Sequence, residues 1–217
     1  MRLPYPNATS QALIDFAIYT SVHLEAKKET KSLSTPIRKA IDTLNKCNAV
    51  SNEKAVIATG SHALLDVKIK DLNRGIQSLS LDILSQTNNN RTDKRYKNIF
   101  LDTPSSIIGL PLKSRFDYMK LLDERLKSNP KDTVYKRHLT PLKLATSSAE
   151  QVQNDHNKNL TAEQNAIDKE NIEKVELRNS LTKVYGQLIT LFNKNEADLY
   201  FRKAIDKKKD TPPPAAN

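Results

Sequence analysis

The side chains with the clearest binding chemistry form a short basic run near the middle of the chain. Basic side chains neutralise phosphates, and an aromatic ring among them can stack on a base. Polyanion binding is therefore one interpretation of this run, although no helix-turn-helix, zinc-finger or RNA-binding signature accompanies it. The alternative is a solvated basic surface with no ligand. The residues in question are Arg91, Lys94, Arg95, Tyr96 and Lys97.

The charge of the chain is concentrated around this run. The formal net charge is +10, and residues 91–145 hold 13 basic and 6 acidic side chains, a net of +7. This asymmetry favours nucleic acid or another polyanion as a partner of segment 91–143. No basic helix here carries a large aromatic face, so binding to a membrane surface is not expected.

Three other groups of residues could carry chemistry. Ser51 and Lys54 match Ser-x-x-Lys, a catalytic motif that requires companion motifs the chain lacks. His62 and His156 fall on ladder positions of two predicted helices, where they form either a metal or pH-sensitive pair or polar residues that set the register. A set of acidic residues in the second of these helices is typical of a solvated helix face. Its members are Glu163, Glu170, Glu173 and Glu176.

Cofactor and catalytic motifs are missing from the sequence. The four glycines do not form a phosphate-binding loop, and neither Glu-x-x-His nor His-Glu-x-x-His occurs. Cys47 is the single cysteine, so a thiolate zinc site is excluded. The sequence therefore predicts no metal, no cofactor and no enzyme activity.

A heptad ladder is the strongest pattern in the sequence. Its aliphatic residues step by 4, 3, 4, 3 and 4, and the phase continues backwards to Ile37 through smaller and more polar residues. Thr35-Pro36 is expected to open this helix and the Asn88–Asn90 run to close it, which predicts one helix over about 36–87. Two helices with a break near Asn48 are the alternative. The ladder consists of Leu65, Ile69, Leu72, Ile76, Leu79 and Ile83.

A second, weaker ladder follows another Thr-Pro pair, Thr140-Pro141. The shared pair suggests that one helical hairpin has been duplicated at a period near 105 residues. The ladder ends in Leu177, Leu181, Val184, Leu188 and Leu191.

These patterns predict an all-α fold, an elongated four-helix bundle in the order short, long, short, long. We expect an up-down-up-down topology with parallel long helices, although the connector also allows antiparallel ones. The first hairpin spans 1–87, with helices at about 8–31 and 36–87, and an irregular connector spans 88–111. The second hairpin spans 112–206, with helices at about 112–139, 141–194 and 196–206. Residues 207–217 are expected to form a disordered tail.

The predicted function follows from the weak middle of both ladders. Long helices with small and polar seams need a further packing partner, so we expect a non-enzymatic scaffold or protein-interaction module that self-associates or binds another protein. No stretch reaches the length of an apolar membrane span, so no membrane insertion is expected. The lone cysteine and the lack of a signal-peptide pattern favour a cytoplasmic location.

Overall fold

The protein is an all-α helical bundle in a computed structural model that describes residues 1, 3–128 and 131–202. The four main helices follow the predicted order of short, long, short and long, and three helices of five or six residues accompany them. The described helices are α1 (Ser10–Glu25), α2 (Lys31–Gln86), α3 (Lys94–Ile99), α4 (Pro104–Ile108), α5 (Leu112–Lys127), α6 (Thr133–Leu191) and α7 (Lys194–Asp198).

The chain divides into two compact units. The first unit comprises Met1–Lys54 and Glu163–Asn217, and the second comprises Ala55–Ala162. In the first unit, α1 packs with the beginning of α2 and the end of α6, and an ion pair of 2.5 Å between Arg38 and Glu25 joins α2 to the end of α1. Its fully buried aliphatic residues include Leu13, Leu24, Ile37, Leu44, Leu177, Leu181 and Leu188.

The second unit has a core of its own. The end of α2, the beginning of α6 and α5 enclose it, and α3 and α4 cover it with Ile99 and Ile107. Four residues of the first ladder are completely buried here. They are Leu72, Ile76, Leu79 and Ile83.

The two long helices run antiparallel in the second unit, so the predicted parallel arrangement is wrong. Ser61 contacts His156 at 2.9 Å and Asp82 contacts His138 at 2.7 Å, so the numbers fall along α6 as they rise along α2. The connector explains the reversal. It leads the chain back along α2, because Arg115 at the beginning of α5 bonds to Asn73. The α5 helix then runs in the direction of α2, and the turn into α6 reverses it.

The Thr-Pro pairs do not open the long helices. Pro36 and Pro141 both lie inside helices that begin one or two turns earlier. A proline near a helix start removes one backbone hydrogen bond, and the burial of Ile37 and Leu142 offsets this loss. In α6 the N-cap is instead Asp132, whose carboxylate accepts from the N–H of Val134 at 2.9 Å.

Other element boundaries also differ from the prediction. The first short helix begins at Ser10, where Thr9 is the N-cap, and ends at Glu25 because the hydroxyl of Thr30 bonds to the carbonyl of Leu24 at 2.7 Å. The connector is not wholly irregular, since Asp93 and Thr103 cap α3 and α4. The final helix, predicted at about 196–206, is instead Lys194–Asp198, and the predicted tail lies outside the described residues.

The buried positions of α2 recur in α6 at a separation of 105 residues. The recurrence includes polar residues, so it does not simply reflect hydrophobic composition. The corresponding buried residues are Ile37 and Leu142, Leu44 and Ala149, Ser51 and His156, Leu65 and Glu170, Leu72 and Leu177, Ile76 and Leu181, Leu79 and Val184, and Ile83 and Leu188.

Candidate interaction surfaces

The predicted basic run lies at one end of the second unit, beside the start of α6. Arg95 pairs with Asp132 at 2.6 Å, and the hydroxyl of Tyr135 donates to the carbonyl of Arg95 at 3.1 Å. These bonds join α3 to the residues around the α6 N-cap. Exposed basic side chains from residues 91–97 and 131–136 lie beside this junction, and none of these side chains bonds to another described residue. We define these as the basic end: Arg91, Lys94, Lys97, Lys131 and Lys136.

Two of the five predicted polyanion-binding residues are held by contacts within the second unit. The ring of Tyr96 is 4% exposed, stacks on Phe100 and bonds through its hydroxyl to Ser80 at 3.0 Å. It is therefore unavailable for base stacking, and that part of the prediction is wrong. The guanidinium of Arg95 is held by Asp132 and lies over the ring of Tyr135. Arg91, Lys94 and Lys97 remain exposed.

A row of exposed apolar residues follows α2 in the second unit. Four of its members are large aliphatic residues with exposures of 40 to 72%. With 100° of rotation per residue, the centre of the row lies about 140° around α2 from the core positions Ala58, Leu65 and Leu72. The row therefore faces away from the core. We define it as the α2 strip: Val56, Ile57, Gly60, Ala63, Leu64 and Val67.

The α2 strip has a spacing of its own. Val56, Gly60, Ala63 and Val67 step by 4, 3 and 4, and Ile57 and Leu64 flank them. This is the a/d spacing of a helix that packs on another helix. A Cβ placed on Gly60 would meet no atom within 4 Å. The second helix-packing face on α2 is therefore open among the described residues. Sequence reasoning followed only the stronger ladder and missed this face.

A buried polar cluster lies in the first unit around Glu170. The residue is 9% exposed. Its carboxylate accepts hydrogen bonds from Ser10 and from Ser51 at 2.5 Å, and lies 3.6 Å from the ammonium of Lys174. Burial alone would raise the pKa of Glu170, but the two hydroxyl donors and Lys174 outweigh it and lower that pKa below its ordinary value.

This cluster differs from the sequence interpretation. Glu170 was expected on a solvated face with its neighbours, yet it is buried, while Glu176 is exposed. Ser51 bonds to Glu170, and Lys54 instead lies 3.8 Å from Glu53, so the Ser-x-x-Lys match brings no base to the serine. The cluster is a closed structural network that joins three helices of the first unit.

The two ladder histidines do meet in the second unit. Their ring centroids are 5.3 Å apart, and the Nδ1 of His156 is 2.9 Å from the hydroxyl of Ser61. His62 is exposed and lies 3.9 Å from Asp66. Among residues 1, 3–128 and 131–202, no group of three or more His, Cys, Asp and Glu side chains is placed to hold a metal ion.

A groove of about 390 Å³ runs between α5 and α6 of the second unit. Its floor is apolar, and an ion pair of 3.2 Å between Lys120 and Glu150 lies at its rim. No pattern in the sequence predicts this groove, because it depends on how two helices pack. The apolar lining residues are Met119, Leu122, Leu126, Leu139 and Leu142.

Known proteins provide no guide to these surfaces. No protein-family model matches the chain, and comparison with curated proteins and with solved structures finds no match. In the described part of the chain, no helix is both long and apolar enough to cross a membrane.

Proposed function

We propose that this protein is a non-enzymatic helical interaction module that binds a protein partner through the α2 strip. The observation that supports this proposal is a helix with two packing faces, of which only one is covered by the residues that the structure describes. Leu65 is 5% exposed on the covered face, whereas Val56 is 72% exposed on the other. Apolar surface of this kind gains free energy when a partner removes it from water.

The arrangement of the strip supports a helix as the partner. Its central Gly60 and Ala63 are small, so another helix can approach closely, while Val56 and Val67 supply aliphatic contacts at either end. A helix of matching apolar period would bury all four residues. A small-molecule site would instead require a concave surface.

The strip can be tested with a double charge substitution. Ile57→Glu with Leu64→Glu should abolish partner binding, because it buries two carboxylates in the interface. A control is Leu81→Glu with Leu144→Glu, which changes two leucines of the same unit that are 66% and 69% exposed. The measurement is affinity capture from an extract together with light scattering, and circular dichroism verifies the fold. Equal binding by the strip variant and the wild type would contradict the proposal.

A second candidate function is binding of nucleic acid or another polyanion at the basic end. Five basic side chains without described partners are supported by the bond between Arg95 and Asp132. Such a surface would contact phosphates, and its affinity would fall as salt rises. Because Tyr96 is buried, we expect the basic end to contact the phosphate backbone of a nucleic acid without base stacking.

Two further proposals concern origin and location. The 105-residue recurrence of buried positions supports duplication of an ancestral helical hairpin. Coiled-coil packing is supported within each unit, where the first ladder packs with the beginning of α6 and the second with the beginning of α2. Closer identity between the two halves in related sequences would support this origin. A cytoplasmic location is supported by the single cysteine, Cys47, and cell fractionation would test it.

A further inference from the structure

We infer that the α2 strip binds a second copy of this chain, with the two α2 helices antiparallel across a two-fold axis. This inference rests on the proposed function and names the partner. The spacing is the first argument. The steps of 4, 3 and 4 read the same in both directions, with a midpoint between Ser61 and His62. An antiparallel copy therefore places Val56 against Val67 and Gly60 against Ala63, twice over, which is the self-complementarity that a two-fold interface requires.

The charges beside the strip supply the second argument. The same heptad frame continues to Glu53 before the strip and to Lys70 after it, at equal distances from the midpoint. Glu53 is 64% exposed, and its only described ion pair is the 3.8 Å contact with the adjacent Lys54. Lys70 is exposed and forms no ion pair with a described residue. In the antiparallel pair, each Glu53 meets Lys70 of the other copy.

The same charges argue against a parallel pair. In parallel register, Glu53 would face Glu53 and Lys70 would face Lys70, and facing like charges disfavour association. Within one chain the two residues are 17 positions apart on α2, roughly 25 Å along its axis. They cannot pair with each other inside a single copy. Any coupling between them therefore reports contact between copies.

The size of the α2 strip determines the expected affinity of the dimer. Six apolar residues and two charges on each side are fewer than the 20 to 30 residues of a stable interface, so the dimer should be weak. We expect a dissociation constant above about 10⁻⁶ M, beyond the weak end of the range of standard-size interfaces. The surface left open in the monomer should thus become occupied only at high concentration.

The test is a charge exchange followed by sedimentation equilibrium. The purified chain, of 24.5 kDa, should approach twice its mass as its concentration rises from about 5 to 500 μM. Glu53→Lys and Lys70→Glu should each raise the dissociation constant about tenfold, because each sets like charges opposite each other. The double variant restores both pairs with their signs exchanged, so it should dimerise like the wild type.

Controls separate this inference from the proposed function. Gly60→Glu should abolish the dimer while preserving the monomer fold, since the added side chain enters open space. A chain that stays monomeric at 500 μM overturns the inference, and so does a double variant that dimerises no better than the single variants. If the monomeric chain still captures another protein that Ile57→Glu with Leu64→Glu loses, the proposed function stands without self-pairing. If neither association occurs, both are wrong.

Discussion

At the scale of single residues, Glu170 shows how a charged group can be buried at an acceptable cost. Its carboxylate exchanges water for two serine hydroxyls and a nearby ammonium, so most of its acceptor capacity is used. Ser10 comes from α1, Ser51 from α2 and Glu170 from α6, so the network fixes three helices of the first unit to one another. Removing the acceptor would leave two buried hydroxyls with weaker partners.

Glu170→Gln should therefore lower the free energy of unfolding by about 1 to 3 kcal/mol at pH 7. The folded-state pKa of Glu170 is lowered, so its stabilisation is present above the ordinary carboxyl pKa. The stabilisation disappears as pH falls through the folded-state value, because the wild-type carboxylate then becomes protonated as well. Urea unfolding between about pH 7 and pH 3 should show that the difference in the free energy of unfolding between the wild type and the variant becomes smaller as pH falls.

Glu176, an exposed glutamate of the same helix, provides the control for this experiment. Glu176→Gln should change stability by less than about 0.5 kcal/mol at any pH. If Glu170→Gln lowers the free energy of unfolding by the same amount at every pH, the charge-based account of the network is contradicted.

At the scale of helices, the glycines within α2 and α6 distinguish close packing from open surface. A Cβ on Gly75 would lie 2.8 Å from Cδ2 of Leu142, whereas a Cβ on Gly186 would meet nothing within 4 Å. Leu142 is 3% exposed, so its methyl group has little room to move. Gly75 therefore allows α2 and α6 to approach closely in the second unit, while Gly186 serves no packing purpose among the described residues.

Gly186→Ala should raise the free energy of unfolding by about 1 kcal/mol, since alanine has the better helix propensity. Gly75→Ala gains the same propensity but must displace Leu142, so it should be at least about 1 kcal/mol less stable than Gly186→Ala. Denaturant unfolding of both variants measures the difference. Equal stabilisation by the two substitutions would show that the contact at Leu142 relaxes without cost.

At the scale of the whole molecule, the net charge of +10 attracts polyanions wherever the basic residues lie. A specific surface must therefore be separated from this general attraction. The basic end offers a way to do so, because the first unit carries exposed lysines that also form no ion pair with a described residue. Three of these are Lys28, Lys39 and Lys46.

Arg91→Glu, Lys94→Glu and Lys97→Glu together should weaken binding to duplex DNA and single-stranded RNA at least tenfold. The control with Lys28, Lys39 and Lys46 changed to glutamate has the same net charge and should bind nearly as the wild type. The measurement is a titration at several salt concentrations, where each lost DNA phosphate contact should reduce the slope of log K against log salt by roughly 0.9. Equal weakening in both triple variants would show that only the net charge matters.

The sequence by itself determined the helical character and the positions of most core residues. The ladder from Leu65 to Ile83 predicts buried positions because the 3.5-residue period is a local property, and Leu72, Ile76, Leu79 and Ile83 are indeed fully buried. The basic run was also visible, since charge density needs no tertiary information. These features depend on residues that are close along the chain.

Only the tertiary structure decided helix direction and the fate of individual polar side chains. Ser51 and Glu170 are 119 residues apart, so no local pattern in the sequence indicates that they are buried together and joined by a hydrogen bond. Tyr96 lost its predicted role for the same reason, because Ser80 and Phe100 hold its ring inside the second unit. The direction of α6 depended on the connector, whose short helices lead the chain back along α2. The solvent-facing position of the α2 strip became evident once the opposite face was covered, because apolar spacing alone does not distinguish a core face from an exposed one.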